Sequence, residues 1–271
     1  MNDFASICIS SYNRPVLLQC CLESLWANTY YPHEIIVHDD GSRKETTDFL
    51  YEAMRAGKIG PLIMNPTDYN RGLGPSVNRA VGISEGEYIV KINGDDKFEP
   101  GWLAKAVRAF ELFPEIGLLH LADYDYTPWW NGRYPDNPRD PAVDYHTLHR
   151  EAREDTEIRV VWCAPGDAFM WRWALWNEVG PWDSEFDPSF GEDVWWRLDA
   201  CPMACRLTRT GARSAPMLEE LPDHWDKYKD TPWMAVLEPP VVDFGWGDGL
   251  SIVEEAQKTL KHGPLLHGEN T

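Results

Sequence analysis

The sequence predicts an α/β fold, a single mostly parallel sheet covered by helices on both faces. Three observations predict it. Through the first 125 residues, short β-rich runs alternate with helical stretches across brief polar connections. The β-rich runs are continuously apolar rather than alternating, as strands buried on both faces must be. The chain has 271 residues, 43% of them hydrophobic and 25% charged, enough apolar surface for a substantial core.

The elements follow in order. FASICISS (4–11) reads as the first strand. PVLLQCCLESLW (15–26) reads as a helix, with Leu18, Leu22, Leu25 and Trp26 on one face and Pro15 suited to its first turn. EIIVHDDGS (34–42) is an apolar strand closing on two acids and a turn glycine. TTDFLYEAMRAG (46–57) is amphipathic and stops at Gly57. GPLIMN (60–65) is strand-like, SVNRAVGIS (76–84) helical, and EYIVKIN (87–93) a strand. WLAKAVRAFELF (102–113) is a helix ended by Pro114, and GLLHLADY (117–124) a further strand. Residues 127–157 then form a proline- and aromatic-rich excursion of the length usually kept for function. Order resumes with IRVVWCAPGDAFMWRWALWNEVG (158–180) and a helix around EDVWWRLDA (192–200). A polar, proline-rich tail follows, with one last helix expected at 251–262.

Composition excludes several function classes. Forty-four acidic against 25 basic side chains leave a net charge of −19. A nucleic-acid backbone is therefore a disfavoured partner, and no polybasic run suits an anionic membrane. No stretch reaches the roughly 18 to 20 apolar residues that span a bilayer, and the N-terminus lacks a secretory pattern. A cytoplasmic location is expected. Cys8, Cys20, Cys21, Cys163, Cys201 and Cys205 show no zinc-type spacing and read as reduced, packing thiols.

The acids carry the chemistry. Asp39–Asp40 and Asp95–Asp96 each close an apolar strand, and ligands in open parallel sheets bind outside the carboxyl ends of the strands. One such doublet is ordinary turn chemistry; two can converge on a crevice. Adjacent carboxylates repel, and a divalent ion relieves that repulsion. Mg²⁺ or Mn²⁺ suits such a site, taking one or two carboxylates together with substrate phosphates. Arg71 and Lys91 lie close enough in sequence to help neutralise a diphosphate, although Lys91 also fits a solvated surface position. The chain has no GxxxxGK[ST] motif, and NRGLGPS is not a dinucleotide fingerprint.

Taken in order, SICISSYNRP, EIIVHDDGS, NRGLGPSVNRAV, GEYIVKINGDD, GDAFMWRW and FGEDVWWRL resemble the motifs of the family-two glycosyltransferases. The likeness runs from about residue 4 to about residue 200. It implies a GT-A fold, with a Rossmann-like sheet and an acceptor-side extension. Three spans are expected: 1–125 for the nucleotide-sugar donor, 126–225 for the acceptor and catalytic base, and 226–271 as a C-terminal extension.

The resemblance also implies residue roles. Ser11, Tyr12 and Arg14 match the nucleotide-binding start. Asp39 matches the acid that bonds the base edge, with Asp40 beside it. Asn70, Arg71 and Asn78 match the segment lining the nucleotide. In GDD, Asp95 would lie near ribose and metal and Asp96 would bind Mn²⁺ or Mg²⁺ directly; Asn93 or Gly94 stands where another acid is usual. Asp193, neighboured by Glu192, matches the catalytic base of inverting members; the two also suit a helix N-terminus. His224 is a candidate further metal ligand.

Fourteen tryptophans are mostly expected to pack the core, with Trp130 and Trp195 as candidate acceptor contacts. The implied activity is inverting transfer from a nucleotide sugar, with UDP as the expected carrier, to a glycan, lipid-linked or protein acceptor. A non-catalytic glycan- or partner-binding module on the same fold is the alternative.

Overall fold

The computed structural model describes residues 2–114, 116–122, 158–161, 168–182, 206–207, 213–214 and 233–243. The expected alternation opens it: β1 (Asn2–Ser11), α1 (Pro15–Asn28), β2 (His33–Asp39), α2 (Lys44–Arg55), β3 (Leu62–Met64), α3 (Leu73–Gly82) and β4 (Gly86–Asn93). Then come β5 (Asp96–Phe98), α4 (Trp102–Leu112), β6 (Ile116–Ala122), β7 (Ile158–Val161), β8 (Phe169–Arg172) and α5 (Trp173–Val179). β9 (Arg206–Leu207), β10 (Arg213–Ser214) and β11 (Trp233–Asp243) complete the described elements.

Local chemistry accounts for the early elements. Pro15 opens α1, where its fixed φ is already helical and its missing N–H has no intrahelical partner to lose. Leu18, Cys21, Leu22 and Leu25 recur at helical spacing and are all buried. The strands are apolar at successive positions because both faces are covered. Ile7, Ile9, Ile35, Val37, Val90 and Ile92 join the core beneath α1, α2 and α4. Cys8, Ile36 and Ile89 join a second core with Val77 and Val81 of α3 and Leu175 and Trp176 of α5.

The main sheet runs β3-β2-β1-β4-β8-β6-β11-β5, with β7 pairing β11. From β3 to β4 every pairing is parallel, as expected. Beyond β4 the sheet is mixed. β8 runs antiparallel to both β4 and β6 and lies between them. β11 is parallel to β6 but antiparallel to β5 and β7. FMWR of β8 is buried at its first three positions, so it reads like any interior strand and its direction has no local signal.

Besides the short β9–β10 pair in the tail, two strands of the main sheet were not expected. β5 is a polar triplet, Asp-Lys-Phe. β11 lies in the proline-rich tail, within the span expected as an extension, yet it enters the main sheet. Its register against β6 shifts between Val236 and Val241, the stretch that holds Pro239 and Pro240. Proline has no N–H to offer a ladder, so the strand tolerates the pair by breaking register there. The helices expected at 192–200 and 251–262 lie outside the described residues.

Among the described residues, no helix is long and apolar enough to cross a membrane. Cys8, Cys20 and Cys21 are free and buried, as expected of packing thiols; Cys163, Cys201 and Cys205 lie outside the described residues. Burial pushes the Cys8 and Cys21 thiols well up, so both stay protonated and unreactive.

Candidate functional site

Register builds the crevice. β1 pairs Ser11 with Asp39 of β2 and Ser10 with Asn93 of β4. The parallel strands therefore end at one level, which brings both acidic doublets to the same edge of the sheet although 55 positions separate them in the chain. Their four carboxylates are all buried.

Within the first doublet the two acids do different work. Asp39 Oδ1 accepts the Ser42 backbone N–H at 2.9 Å. Its Oδ2 is buried with no hydrogen-bond partner. Asp40 is engaged by protein on both oxygens. Oδ1 accepts Asn65 Nδ2 at 2.5 Å and the Arg71 N–H at 3.0 Å; Oδ2 accepts the Arg71 and Gly72 N–H groups at 2.9 and 2.7 Å. Asp40 thus clamps Arg71 and Gly72, in the segment that leads into α3. Asn65 Oδ1 in turn accepts Arg79 Nη1 at 2.7 Å, tying the clamp to the body of α3.

Gly41 makes this close approach possible. Its φ is +90°, and a Cβ there would fall 2.7 Å from the Pro66 carbonyl oxygen and 2.8 Å from the Tyr69 nitrogen. Only glycine suits both the conformation and the space.

In the second doublet, Asp95 Oδ2 accepts Arg14 Nη1 at 2.6 Å. The Asp95 side chain is 8% exposed and Arg14 60%. Asp96 Oδ2 accepts the Asn93 N–H at 2.8 Å, which closes the turn. Gly94, where another acid is usual, has a packing reason. A Cβ there would lie 3.3 Å from Leu18 Cδ1 of α1, so an acid would start against apolar surface. Lys91 is not solvated: it is fully buried, and its Nζ donates to Asn93 Oδ1 at 2.8 Å. That contact ties β4 to the turn that follows it.

The other expected residues divide. Ser11 is buried at the end of β1, Tyr12 is exposed beside it, and Asn70 and Arg71 are exposed on the clamped segment. Asn78 is turned elsewhere: its Nδ2 donates to the Trp182 carbonyl at 2.8 Å and its Oδ1 accepts the Trp182 N–H at 2.9 Å. It pins the backbone just before the segment that carries Glu192 and Asp193. Those two residues, with His224, Trp130 and Trp195, lie outside the described residues. Trp171, Trp176 and Trp182 are buried in the second core, where Trp171 and Trp176 stack at 6.0 Å.

Several contributors escaped the sequence reading. Asn13 sits at φ +52°; its N–H donates to Ser42 Oγ at 2.9 Å and its Oδ1 accepts the Arg43 N–H at 2.8 Å. Asn65 and Arg79 complete the clamp. Asn-rich turns signal such positions, but no local pattern names a partner some thirty residues away.

His38, on β2, is fully buried, and neither ring nitrogen has a hydrogen-bond partner. Burial pushes its pKa below the usual value, outweighing Asp40 and Asp39, which raise it; Arg79 lowers it further. The folded protein keeps this ring neutral, while the unfolded chain protonates below about pH 6.5. Its stability contribution is therefore full above that pH and is lost as pH falls toward the depressed folded value. Melting temperature should decline from pH 7 to pH 5, and less steeply in His38→Leu. Parallel declines in thermal melts of the two proteins would contradict this.

Among the described residues, no group of three or more His, Cys, Asp or Glu side chains could hold a metal ion. The neighbouring acids Asp95 and Asp96 could supply a cation with two carboxylates at most, and Mg²⁺ and Mn²⁺ commonly complete such a set with phosphate oxygens and water.

Comparison with known proteins matches this arrangement. The model of glycosyl transferase family 2 matches residues 6–172. An uncharacterized glycosyltransferase of a Nostoc species is 28% identical over 120 residues, 44% of this chain and 36% of the relative. The amylovoran biosynthesis glycosyltransferase AmsE of Erwinia amylovora is 31% identical over 123 residues, 45% of this chain and 46% of the relative. The chain thus spans less than half the length of either. Among solved structures, S. aureus TarS 1–349 in complex with UDP-GlcNAc has a TM-score of 0.56 at 18% identity, covering 89% of this chain and 58% of that one. GalNAc-T7 with UDP, GalNAc and Mn²⁺ has a TM-score of 0.59 at 13% identity, covering 89% and 43%. Likeness at these identities establishes the fold, GT-A.

Proposed function

Because the chain belongs to glycosyl transferase family 2, we propose that it transfers a sugar from a UDP-sugar to an acceptor hydroxyl, inverting the anomeric carbon. The observation that carries the donor reading is Asp39 Oδ2, a buried carboxylate oxygen with no protein donor. Leaving such an acceptor unmade is costly, and an incoming N–H group removes the cost. The uracil ring offers one between two carbonyls. The UDP complexes of the structural neighbours point the same way.

Ser11, paired in register with Asp39, and the exposed Tyr12 beside it are the candidate nucleotide contacts, and the exposed Arg71 is a candidate for the diphosphate. Asp95 and Asp96 would hold a divalent cation, Mn²⁺ or Mg²⁺, which supplies positive charge against the departing diphosphate. His224 is a further ligand candidate. Asp193, with Glu192 beside it, takes the acceptor hydroxyl proton as that oxygen bonds to the anomeric carbon. The bond to the diphosphate breaks, and the nucleotide leaves with the electron pair. Trp130 and Trp195 are the candidate contacts for an acceptor that is a glycan, lipid-linked or protein hydroxyl.

The test is Asp39→Asn, which retains an acceptor for Ser42 and turns an N–H₂ toward the base. UDP with Mn²⁺ should raise the melting temperature of the unmodified protein. The variant should bind UDP about 10- to 100-fold more weakly by calorimetry, the scale of a hydrogen bond to a charged group. Equal UDP affinity in both proteins would remove Asp39 from base recognition.

A further inference from the structure

We propose that Arg14 is the resident counter-cation of the Asp95–Asp96 pair, disfavouring a divalent ion there until a donor diphosphate draws the guanidinium away. This rests on the reading that the pair holds the donor's cation, and it adds a coupling between the two ligands that the reading alone does not require.

The ion pair is asymmetric. Asp95 is 8% exposed and fixed in the turn after β4, whereas Arg14 is 60% exposed. Arg14 holds its backbone in place at the N-cap of α1, where its carbonyl accepts the Leu18 N–H at 2.9 Å. Its long side chain crosses to Asp95 Oδ2 at 2.6 Å. The anchored partner is thus the acid, and the partner able to change rotamer is the cation. A guanidinium at 2.6 Å takes one lone-pair direction of an oxygen that a metal on this pair would compete for.

Charge arithmetic gives the direction. Two carboxylates with the Arg14 guanidinium carry a single net negative charge, and Lys91, buried below the turn, can only reduce it. A divalent ion added to that set leaves a net positive charge and places two cations side by side. A diphosphate arriving with the ion reverses this, because its oxygens accept both the metal and the freed guanidinium. Arg14 therefore opposes the metal alone and favours the metal with nucleotide. That is a coupling between ligands, and it is reciprocal in their binding free energies. A purely decorative surface ion pair would show no such coupling.

The experiment is a Mn²⁺ titration of the full chain without nucleotide, read by electron paramagnetic resonance, on the unmodified protein, Arg14→Gln, Arg14→Lys and Arg43→Gln. Arg43 pairs at 3.7 Å with Asp68, and both side chains are exposed, so it controls for the change in overall charge. Arg14→Gln should bind Mn²⁺ about 3- to 10-fold more tightly. Arg14→Lys should stay near the unmodified protein, and Arg43→Gln should not change. The factor by which Mn²⁺ strengthens UDP binding, measured by calorimetry, should shrink in Arg14→Gln. Unchanged or weaker Mn²⁺ binding in Arg14→Gln overturns the inference, as does an equal gain in Arg43→Gln. A separate failure is visible with Asp96→Asn: if that variant binds Mn²⁺ as well as the unmodified protein, the cation does not sit on this pair. The reading of the site then falls, and the inference with it.

Discussion

Asp40→Ala is expected to lower stability by about 2–4 kcal/mol, because it strands donors from three residues, of which Asn65 and Gly72 are buried. Asn65 Nδ2 and the N–H groups of Arg71 and Gly72 all point at this one carboxylate, which is 4% exposed. Asparagine is no remedy. Either orientation of its amide sets an N–H₂ against one of those donors, so Asp40→Asn should also destabilise. Chemical denaturation measures both. UDP affinity should fall as well, since Arg71 rides on the clamped segment, even though Asp40 has no lone pair left facing the crevice. A loss below about 0.5 kcal/mol, the range of ordinary surface changes, would mean that the clamp does not hold the loop.

Asp193→Asn is expected to lower kcat by about 10²- to 10⁴-fold, the usual contribution of a positioned general base. That span corresponds to roughly 3–5 kcal/mol of transition-state stabilisation. UDP affinity should stay within about twofold, because the proton transfer involves the acceptor and not the nucleotide. Single-turnover transfer and UDP calorimetry together separate the two effects. Retained turnover removes Asp193 from the mechanism, and Glu192→Gln then shows whether its neighbour takes the proton. The two substitutions contrast usefully: Asp40 should move stability and donor binding together, while Asp193 should move only the chemical step.

Much of the crevice was legible because it rests on local patterns. Continuous apolar runs marked β1, β2 and β4, and the acids stood at the carboxyl ends of β2 and β4. The alternation of helix with strand implied that those strands run parallel, and parallel strands end on one edge. β8 and β11 were harder for a physical reason. Strand direction and order in the outer half depend on which edge is free when a distant segment arrives. FMWR pairs with β4 eighty positions upstream, and the register break around Pro239 and Pro240 disguises β11 as a tail.

The sequence by itself determined the family, the parallel half of the sheet, and the placement of two acidic pairs at strand ends, because each follows from short-range periodicity and turn chemistry. Only the tertiary structure decided what each charged group does there. Asp39 keeps an open oxygen while Asp40 is bonded on both; Lys91 lies buried under the turn; Asn78 holds Trp182; Gly94 yields its place to Leu18. Those of Asp40, Asn78 and Gly94 are hydrogen bonds and contacts between residues far apart in the chain. Their identity depends on distance in space, which residue type and spacing do not record.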